Sequence, residues 1–353
     1  MSLESGSTLR RVVEDAARAS RVPGIVVAVA RGARPVDLIV VGTDDAGRPL
    51  TEDTIFPVAS VTKLATALTV LRLVDDGALS VDDPVERHLP DAAIAGAGIT
   101  VRHLLSHTSG LPRDIAAHAV EHAPGLDWPA LARACLATPL QLAPNSRVLY
   151  GNVGYGLLAV VMERLTGQRF ADALGDLVLA PLGIEGFLGA EPPRPPAVVT
   201  GVRGPRAGTE LEPYNTPFWR GLALPWGGLL TTARGALALA RVFAGTPPDF
   251  LLPETRAEAV RNQTGDLAGG FGEPIVWTPS PWGLGPELRD GKTPHWTPPY
   301  ADPASFGHAG MSGCIAWADP VADVAWSILG ARTAESGWLI RRGPAIGASI
   351  LST

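Results

Sequence analysis

The sequence is short of cysteine, and it has no long apolar run. It contains two cysteines, Cys135 and Cys314, in 353 residues, which excludes a disulfide framework, so we expect two free thiols. No apolar run approaches the roughly 20 residues that span a bilayer, and residues 1–20 lack the apolar core of a secretory signal. We therefore expect no membrane span and a cytoplasmic location.

Charged residues are also few. They make up 18% of the chain, and the net charge is −6, which offers no electrostatic attraction to nucleic acid or to an anionic membrane. Hydrophobic residues reach 46%, and this proportion excludes a disordered chain. The composition predicts a folded protein with a sizeable core and no nucleic-acid partner, and it leaves the oligomeric state open.

Lysine is almost absent: of the 29 lysines and arginines, only Lys63 and Lys292 are lysines. Lys63 follows Ser60 by three positions at the start of a segment, 61–74, that is apolar on almost every side and predicts a buried helix. A serine hydroxyl needs a proton acceptor to become a nucleophile. A buried lysine can serve because burial lowers its pKa, whereas arginine cannot. We predict Ser60 as nucleophile and Lys63 as proton acceptor; the structural alternative is an N-cap serine with a solvated lysine.

A second short motif, Tyr-Gly-Asn at residues 150–152, stands at the start of a predicted helix over 152–166. Beside an ammonium group the phenol of Tyr150 would be acidified, which would make it a general acid or base. Asn152 carries a donor and an acceptor, and it is suited to orienting Lys63 and the acyl group of a substrate. The structural alternative is a buried tyrosine followed by an N-cap asparagine.

A third motif, His-Ala-Gly at residues 308–310, stands at the predicted end of a strand. Gly310 would allow the backbone to approach a substrate closely, and the N–H of Met311 could join that of the nucleophile as an oxyanion hole. His308 is a candidate for substrate binding, and so is Trp226, which precedes two glycines. The structural alternative is a strand-end histidine with turn glycines.

The order of the predicted elements is typical of an α+β protein. Its strands are joined by hairpins rather than by alternating helices, which predicts a central antiparallel sheet flanked by helices. We expect residues 1–79 and 207–353 to form the sheet domain, and residues 80–206 to form a mostly helical domain ending in a proline-rich crossing segment. The main elements are predicted at 8–20 (helix), 24–31 and 35–42 (strands), 61–74 (helix), 80–195 (mostly helical), 271–335 (short strands) and 337–352 (a helix interrupted at Gly-Pro).

Together, the three motifs and the segments around them resemble the class C β-lactamase and penicillin-binding-protein family of serine hydrolases. The resemblance covers roughly residues 8–335 and includes TEDTIFPVASVTK, ITVRHLLSHTSGLP, YGNVGYGLLAVVMERLTG and WGGLLTTARGALALARVF. It implies a β-lactamase/penicillin-binding-protein-like fold, acylation of Ser60, and proton transfer by Lys63 and Tyr150 as a coupled pair. It places the family's third motif, usually Lys-Thr-Gly, at residues 308–310.

The third motif departs from the family pattern. Relatives that hold a substrate carboxylate use hydroxyls at its second position and just after it, where this chain has Ala309 and Met311. We therefore predict an esterase that cleaves a small neutral carboxylic ester through an acyl-Ser60 intermediate. The alternatives are an acyltransferase in small-molecule biosynthesis, a β-lactamase or D,D-peptidase, and a binding module that has lost catalysis. Five aromatic residues could line an apolar acyl pocket: Trp277, Trp282, Trp296, Tyr300 and Phe306.

Two pairs of histidines have a spacing that can bind zinc on a helix, namely His103/His107 and His118/His122. Neither pair has the acidic residue of a His-Glu-x-x-His motif, and the first lies in a run that is structural in the resembling family. We predict no metal and no cofactor.

Overall fold

The computed structural model describes residues 3–352. Its helices α1–α11 are Leu3–Ser20, Thr62–Asp75, Val85–His88, Val101–Leu105, Trp128–Leu136, Val153–Thr166, Phe170–Leu174, Pro217–Gly221, Ala233–Phe243, Pro253–Ala259 and Trp338–Leu351. Its strands β1–β12 are Gly24–Arg31, Asp37–Gly42, Phe56–Pro57, Val148–Leu149, Gly186–Phe187, Leu230–Thr231, Gly269–Gly272, Ile275–Trp277, Glu287–Leu288, Phe306–Gly310, Cys314–Asp319 and Val324–Gly330. Short 3-10 turns lie at Ala59–Val61 and Ala334–Ser336, and a π turn lies at Gly175–Leu179.

The main sheet has six strands in the order β2-β1-β12-β11-β10-β9, and every neighbouring pair is antiparallel. This confirms the predicted α+β class with a central antiparallel sheet. Alternate side chains of β1 enter two different cores, one shared with α2 and α9 and the other with α1 and α11. Because both faces of the sheet are covered, β1 is buried along almost its whole length, which explains its apolar sequence.

Helix α2 is buried on almost every side, as its sequence predicts. It packs against α6, α7 and α9 and against β10 of the main sheet. Side chains cap two of the helix starts: the Asp127 side chain accepts the N–H of Ala130, and Thr100 forms a reciprocal cap with His103. The division into a sheet domain and a helical domain stays a prediction.

Two expectations about regular structure were wrong. Residues 80–195 hold short helices separated by loops, and within them Val148–Leu149 pairs in parallel with Gly269–Gly270. A Cβ at Gly269 would lie 1.9 Å from the carbonyl oxygen of Val148, so only glycine allows this contact. The final helix runs without a break through Pro344, because neighbouring elements hold it in place.

Both cysteines are free and buried, as expected. Burial raises the pKa of each thiol to about 12, so neither is a reactive nucleophile at neutral pH. In the part of the chain that the structure describes, the helices are too short or too polar to cross a bilayer.

Candidate active site

Ser60 lies on the 3-10 turn that leads into α2, and Ala59 before it has a φ of 45°, in the left-handed region. The end of β10 packs directly on this turn, since a Cβ at Gly310 would lie 2.3 Å from the carbonyl oxygen of Val58. Within residues 3–352, the backbone N–H groups of Ser60 and Met311 donate to no other group of the protein. They are therefore available to a carbonyl oxygen placed beside the Ser60 hydroxyl.

Lys63 is fully buried one turn further along α2. Its Nζ lies 3.4 Å from Ser60 Oγ, 2.8 Å from Asn152 Oδ1 and 3.1 Å from the carbonyl oxygen of Trp226. Each of these partners is an uncharged oxygen. Burial holds the pKa of Lys63 well below its ordinary value, and the more distant Asp114 opposes the shift only in part. The shift favours the neutral amine, the form that can accept a proton, over what an exposed lysine would show.

Tyr150 is buried beside this amine, with the centre of its ring 4.8 Å from Lys63 Nζ. Burial raises the pKa of its phenol, and the nearby Ser60 hydroxyl opposes that shift only in part. The expected acidification is therefore wrong, because burial of the phenol disfavours its charged form and outweighs the groups that would lower its pKa. The phenol oxygen makes no hydrogen bond of ordinary geometry within the described residues, although it is close enough to Ser60 to be affected by it.

Asn152 orients Lys63 and has little left for a substrate. Its Oδ1 accepts from Lys63, and its Nδ2 donates to Asp114 Oδ1 at 2.5 Å. The carboxylate of Asp114 only accepts, so it fixes which end of the amide faces the lysine. Asp114 lies outside the three motifs, and sequence reasoning missed it.

Two predicted binding residues do not present their side chains to a substrate. The imidazole of His308 is fully buried, its Nδ1 donates to the carbonyl of Ala309 at 2.7 Å, and burial lowers its pKa to about 3. The ring of Trp226 packs edge-on against Trp128 in the helical core, and only its backbone carbonyl reaches the site. Neither side chain lines the cleft, and both pack among the buried residues around it.

A cleft of about 280 Å³ opens over Ser60 and Tyr150. Gly310 and Met311 line it as predicted, but of the five predicted aromatic residues only Trp296 does so. Trp277, Trp282 and Phe306 are buried in the core, and Tyr300 is exposed. The walls are mostly apolar side chains from the β7–β8 hairpin and from α11, and they are Phe271, Pro274, Ile275, Leu339 and Ile340.

Arg113 and Glu273 are the charged residues that line the cleft. The Nη1 of Arg113 donates to the carbonyl of Phe271 at 2.6 Å, and its Nε lies 3.7 Å from Asp114 Oδ2. The guanidinium is thus partly paired before any ligand binds. No motif in the sequence indicates Arg113 or the hairpin, because a long-range contact brings them to the cleft.

The predicted histidine pairs do not form a metal site. His103 contacts Thr100 and Asn145, whereas His107 packs against Tyr150. Within residues 3–352, no group of three or more His, Cys, Asp or Glu side chains is placed to hold a metal ion.

The site combines a serine at the start of a buried helix, an amine one turn further on and a phenol from a neighbouring loop. This combination is typical of the penicillin-binding-protein-like serine hydrolases. Comparison with known proteins agrees. The model of the family named Beta-lactamase matches residues 9–341, and the chain belongs to this family. The predicted resemblance is thereby confirmed.

Similar proteins within the family have several activities. The chain is 33% identical to Esterase EstB of Burkholderia gladioli, over 90% of this chain and 86% of that protein. It is 32% identical to Penicillin-binding protein 4 of Amycolatopsis lactamdurans, over 76% of this chain and 68% of that protein. A β-lactamase structure from Mycobacterium bovis matches 96% of this chain and 98% of its own, with 27% identity and a TM-score of 0.67. These likenesses support serine hydrolase activity and leave the substrate open.

Proposed function

We propose that this protein is a serine esterase that cleaves a neutral carboxylic ester through an acyl-Ser60 intermediate. The observation that carries the proposal is the placement of Lys63. Its amine is fully buried, lies 3.4 Å from Ser60 Oγ and receives only uncharged oxygens as hydrogen-bond partners. A neutral amine held at that distance is suited to take the serine proton.

In the proposed reaction, Ser60 Oγ attacks the ester carbonyl carbon while its proton passes to Lys63 Nζ. The N–H groups of Ser60 and Met311 stabilise the negative charge that develops on the carbonyl oxygen. The bond to the alcohol then breaks, and the proton returns from Lys63 by way of Tyr150 to the departing oxygen. The raised pKa of Tyr150 suits a phenol that relays a proton and does not persist as phenolate. Water cleaves the acyl-enzyme by the same steps in reverse.

Three observations support a neutral substrate. Ala309 and Met311 replace the hydroxyls that would help to hold a carboxylate. The cleft walls are mostly apolar, and the one cleft arginine already has a carbonyl and a carboxylate as partners. The name of a relative, Esterase EstB, agrees with esterase activity.

Two chromogenic substrates test the proposal. We expect the protein to hydrolyse p-nitrophenyl butyrate and to leave nitrocefin, a β-lactam with a carboxylate, largely intact. A fluorophosphonate probe should label Ser60, and Ser60→Ala should stay folded but lose both labelling and turnover. Turnover of nitrocefin without turnover of the ester would reverse the ranking of esterase over β-lactamase. A folded wild-type protein without a labelled Ser60 would favour the binding module.

Acyl transfer to an alcohol is the second candidate. It would use the same acyl-enzyme, and the apolar walls of the cleft favour an organic acceptor over water. The test is to add benzyl alcohol to the p-nitrophenyl butyrate assay and to quantify benzyl butyrate. Formation of butyric acid alone at high alcohol concentration would exclude this candidate for that class of acceptor.

A further inference from the structure

His107 contacts the backbone on both sides of Tyr150. Its carbonyl oxygen accepts the N–H of Leu149 at 2.8 Å, and its Nδ1 accepts the N–H of Gly151 at 3.3 Å. Its imidazole also packs on the phenol ring, with 4.6 Å between the ring centres. One residue in the loop after α4 thus holds the residue before Tyr150, the residue after it and the ring between them.

His107 has the properties of a fixed support. It is buried and has a φ of 60°, a left-handed conformation that a histidine adopts at a cost in free energy. Burial holds the pKa of its imidazole well below the ordinary value, so the ring stays neutral. Because Nδ1 accepts a hydrogen bond from Gly151, the ring proton is on Nε2. Nδ1 therefore holds the backbone and is not free to exchange protons.

Tyr150 depends on such a support. Within the described residues its hydroxyl makes no hydrogen bond of ordinary geometry, so the hydroxyl does not hold itself in place. Its position must come from ring packing and from the flanking backbone, where Leu149 also pairs with Gly270 of β7. Small displacements matter here, because a shift of about 1 Å in a catalytic group can cost about 100-fold in rate.

We infer that His107 is a positioning residue that holds the Tyr150 hydroxyl over Ser60 and Lys63. The inference rests on the proposed function, since the position of Tyr150 affects activity only if the phenol relays a proton. His107 does not itself line the cleft, and it reaches the site only through Tyr150 and the backbone beside it.

The test compares two substitutions that tolerate the left-handed backbone. His107→Asn keeps an acceptor, Oδ1, near the position of Nδ1, whereas His107→Gly removes it. Active sites are counted by fluorophosphonate titration, so that misfolded protein does not lower the measured kcat. We expect kcat per site to fall about 10- to 100-fold in His107→Gly, with little change in KM and a shifted acidic limb of the pH profile. His107→Asn should restore most of the rate and the original profile.

His103→Ala is the matched control, because His103 lies in the same segment but caps α4 and contacts Asn145 instead of Tyr150. It should lower thermal stability and leave kcat per site unchanged. Equal kcat per site in His107→Gly and wild type, or equal losses in the glycine and asparagine variants, would overturn the inference. If the glycine variant does not fold, His107→Gln replaces it. The glutamine amide reaches beyond the position of Nδ1, so this variant also lacks an acceptor there.

Amide hydrogen exchange separates this inference from the proposed function. Exchange in residues 148–152 should accelerate in His107→Gly but not in His107→Asn or His103→Ala. One outcome is accelerated exchange in His107→Gly together with full activity in Tyr150→Phe. It would show that His107 supports the backbone around Tyr150 and that the proposed role of Tyr150 is wrong. Unchanged exchange of residues 148–152 in His107→Gly would show that His107 does not support this backbone, whatever the activity.

Discussion

The two lysines of this chain are both buried, and their surroundings make them chemically different. Lys63 has uncharged oxygens around its Nζ, from Ser60, Asn152 and Trp226. Lys292 has a carboxylate, with Glu287 Oε1 at 2.9 Å, and the rings of Trp277 and Trp282 lie within about 5 Å of its Nζ. Both amines face aromatic rings, so the difference lies in the partner that accepts their hydrogen bonds.

The carboxylate decides the charge of the second lysine. Burial would raise the pKa of Glu287, but Lys292 and His295 outweigh it and lower that pKa to about 2. Burial lowers the pKa of Lys292, and Glu287 opposes this shift by its charge and its hydrogen bond. The pair is therefore charged, whereas Lys63 has no hydrogen-bonded carboxylate and its pKa is held well below the ordinary value. Burial alone does not make a lysine a base. The lysine must also lack a negatively charged partner that would keep it protonated.

The largest expected effect is on activity at Lys63. Lys63→Arg keeps a positive charge, but arginine cannot lose its proton in a protein. We expect kcat/KM for the ester substrate to fall by about 10²–10⁴-fold, the usual contribution of a general base. Steady-state kinetics on the folded variant measure this, and near-normal turnover would disprove the role of Lys63 as proton acceptor.

The next effect is on stability at Lys292. Lys292→Met leaves the carboxylate of Glu287 buried without its ammonium partner, and we expect a loss of about 3–5 kcal/mol in the free energy of unfolding. Lys63→Met should cost far less, because it leaves no buried charge behind. Urea unfolding compares the two variants. Adding Glu287→Gln to Lys292→Met should recover much of the loss, and failure to recover would show that the ion pair is not its cause.

A third effect appears in acid. The folded pKa of Glu287, about 2, lies below its ordinary value of 4.5, so the unfolded state takes up a proton first as the pH falls. The contribution of this carboxylate is complete above pH 4.5 and is lost as the pH approaches 2. Its size is on the order of 3 kcal/mol. Unfolding measured at several pH values should show this loss in the wild type and not in Glu287→Gln.

The smallest effect on activity is expected for Lys292→Arg. The amine of Lys292 transfers no proton in the proposed reaction, and arginine can keep the pairing with Glu287. The larger side chain should cost about 1–3 kcal/mol of stability through overpacking, while kcat/KM of the folded variant stays close to that of the wild type. A loss of activity as deep as that of Lys63→Arg would mean that both lysines serve the chemistry.

Much of the site could be predicted from sequence because it lies in three short motifs. Ser60 and Lys63 share one turn of a helix, and a spacing of three residues brings them together in any such helix. The residues that meet them from afar could not be predicted in the same way. Asp114, Phe271 and His107 reach the site through loop and hairpin contacts with no local periodicity.

The amino-acid sequence by itself determined the candidate catalytic residues, the buried helix that carries Ser60 and Lys63, and the antiparallel sheet, because these follow from local spacing and apolar pattern. Only the tertiary structure decided the directions in which the pKa values of these residues shift. It surrounded Lys63 with uncharged oxygens, gave Lys292 a carboxylate, and raised the pKa of Tyr150 where an acidified phenol was expected. The charge of a buried group depends on what lies within a few ångströms of it, and those neighbours come from distant parts of the chain.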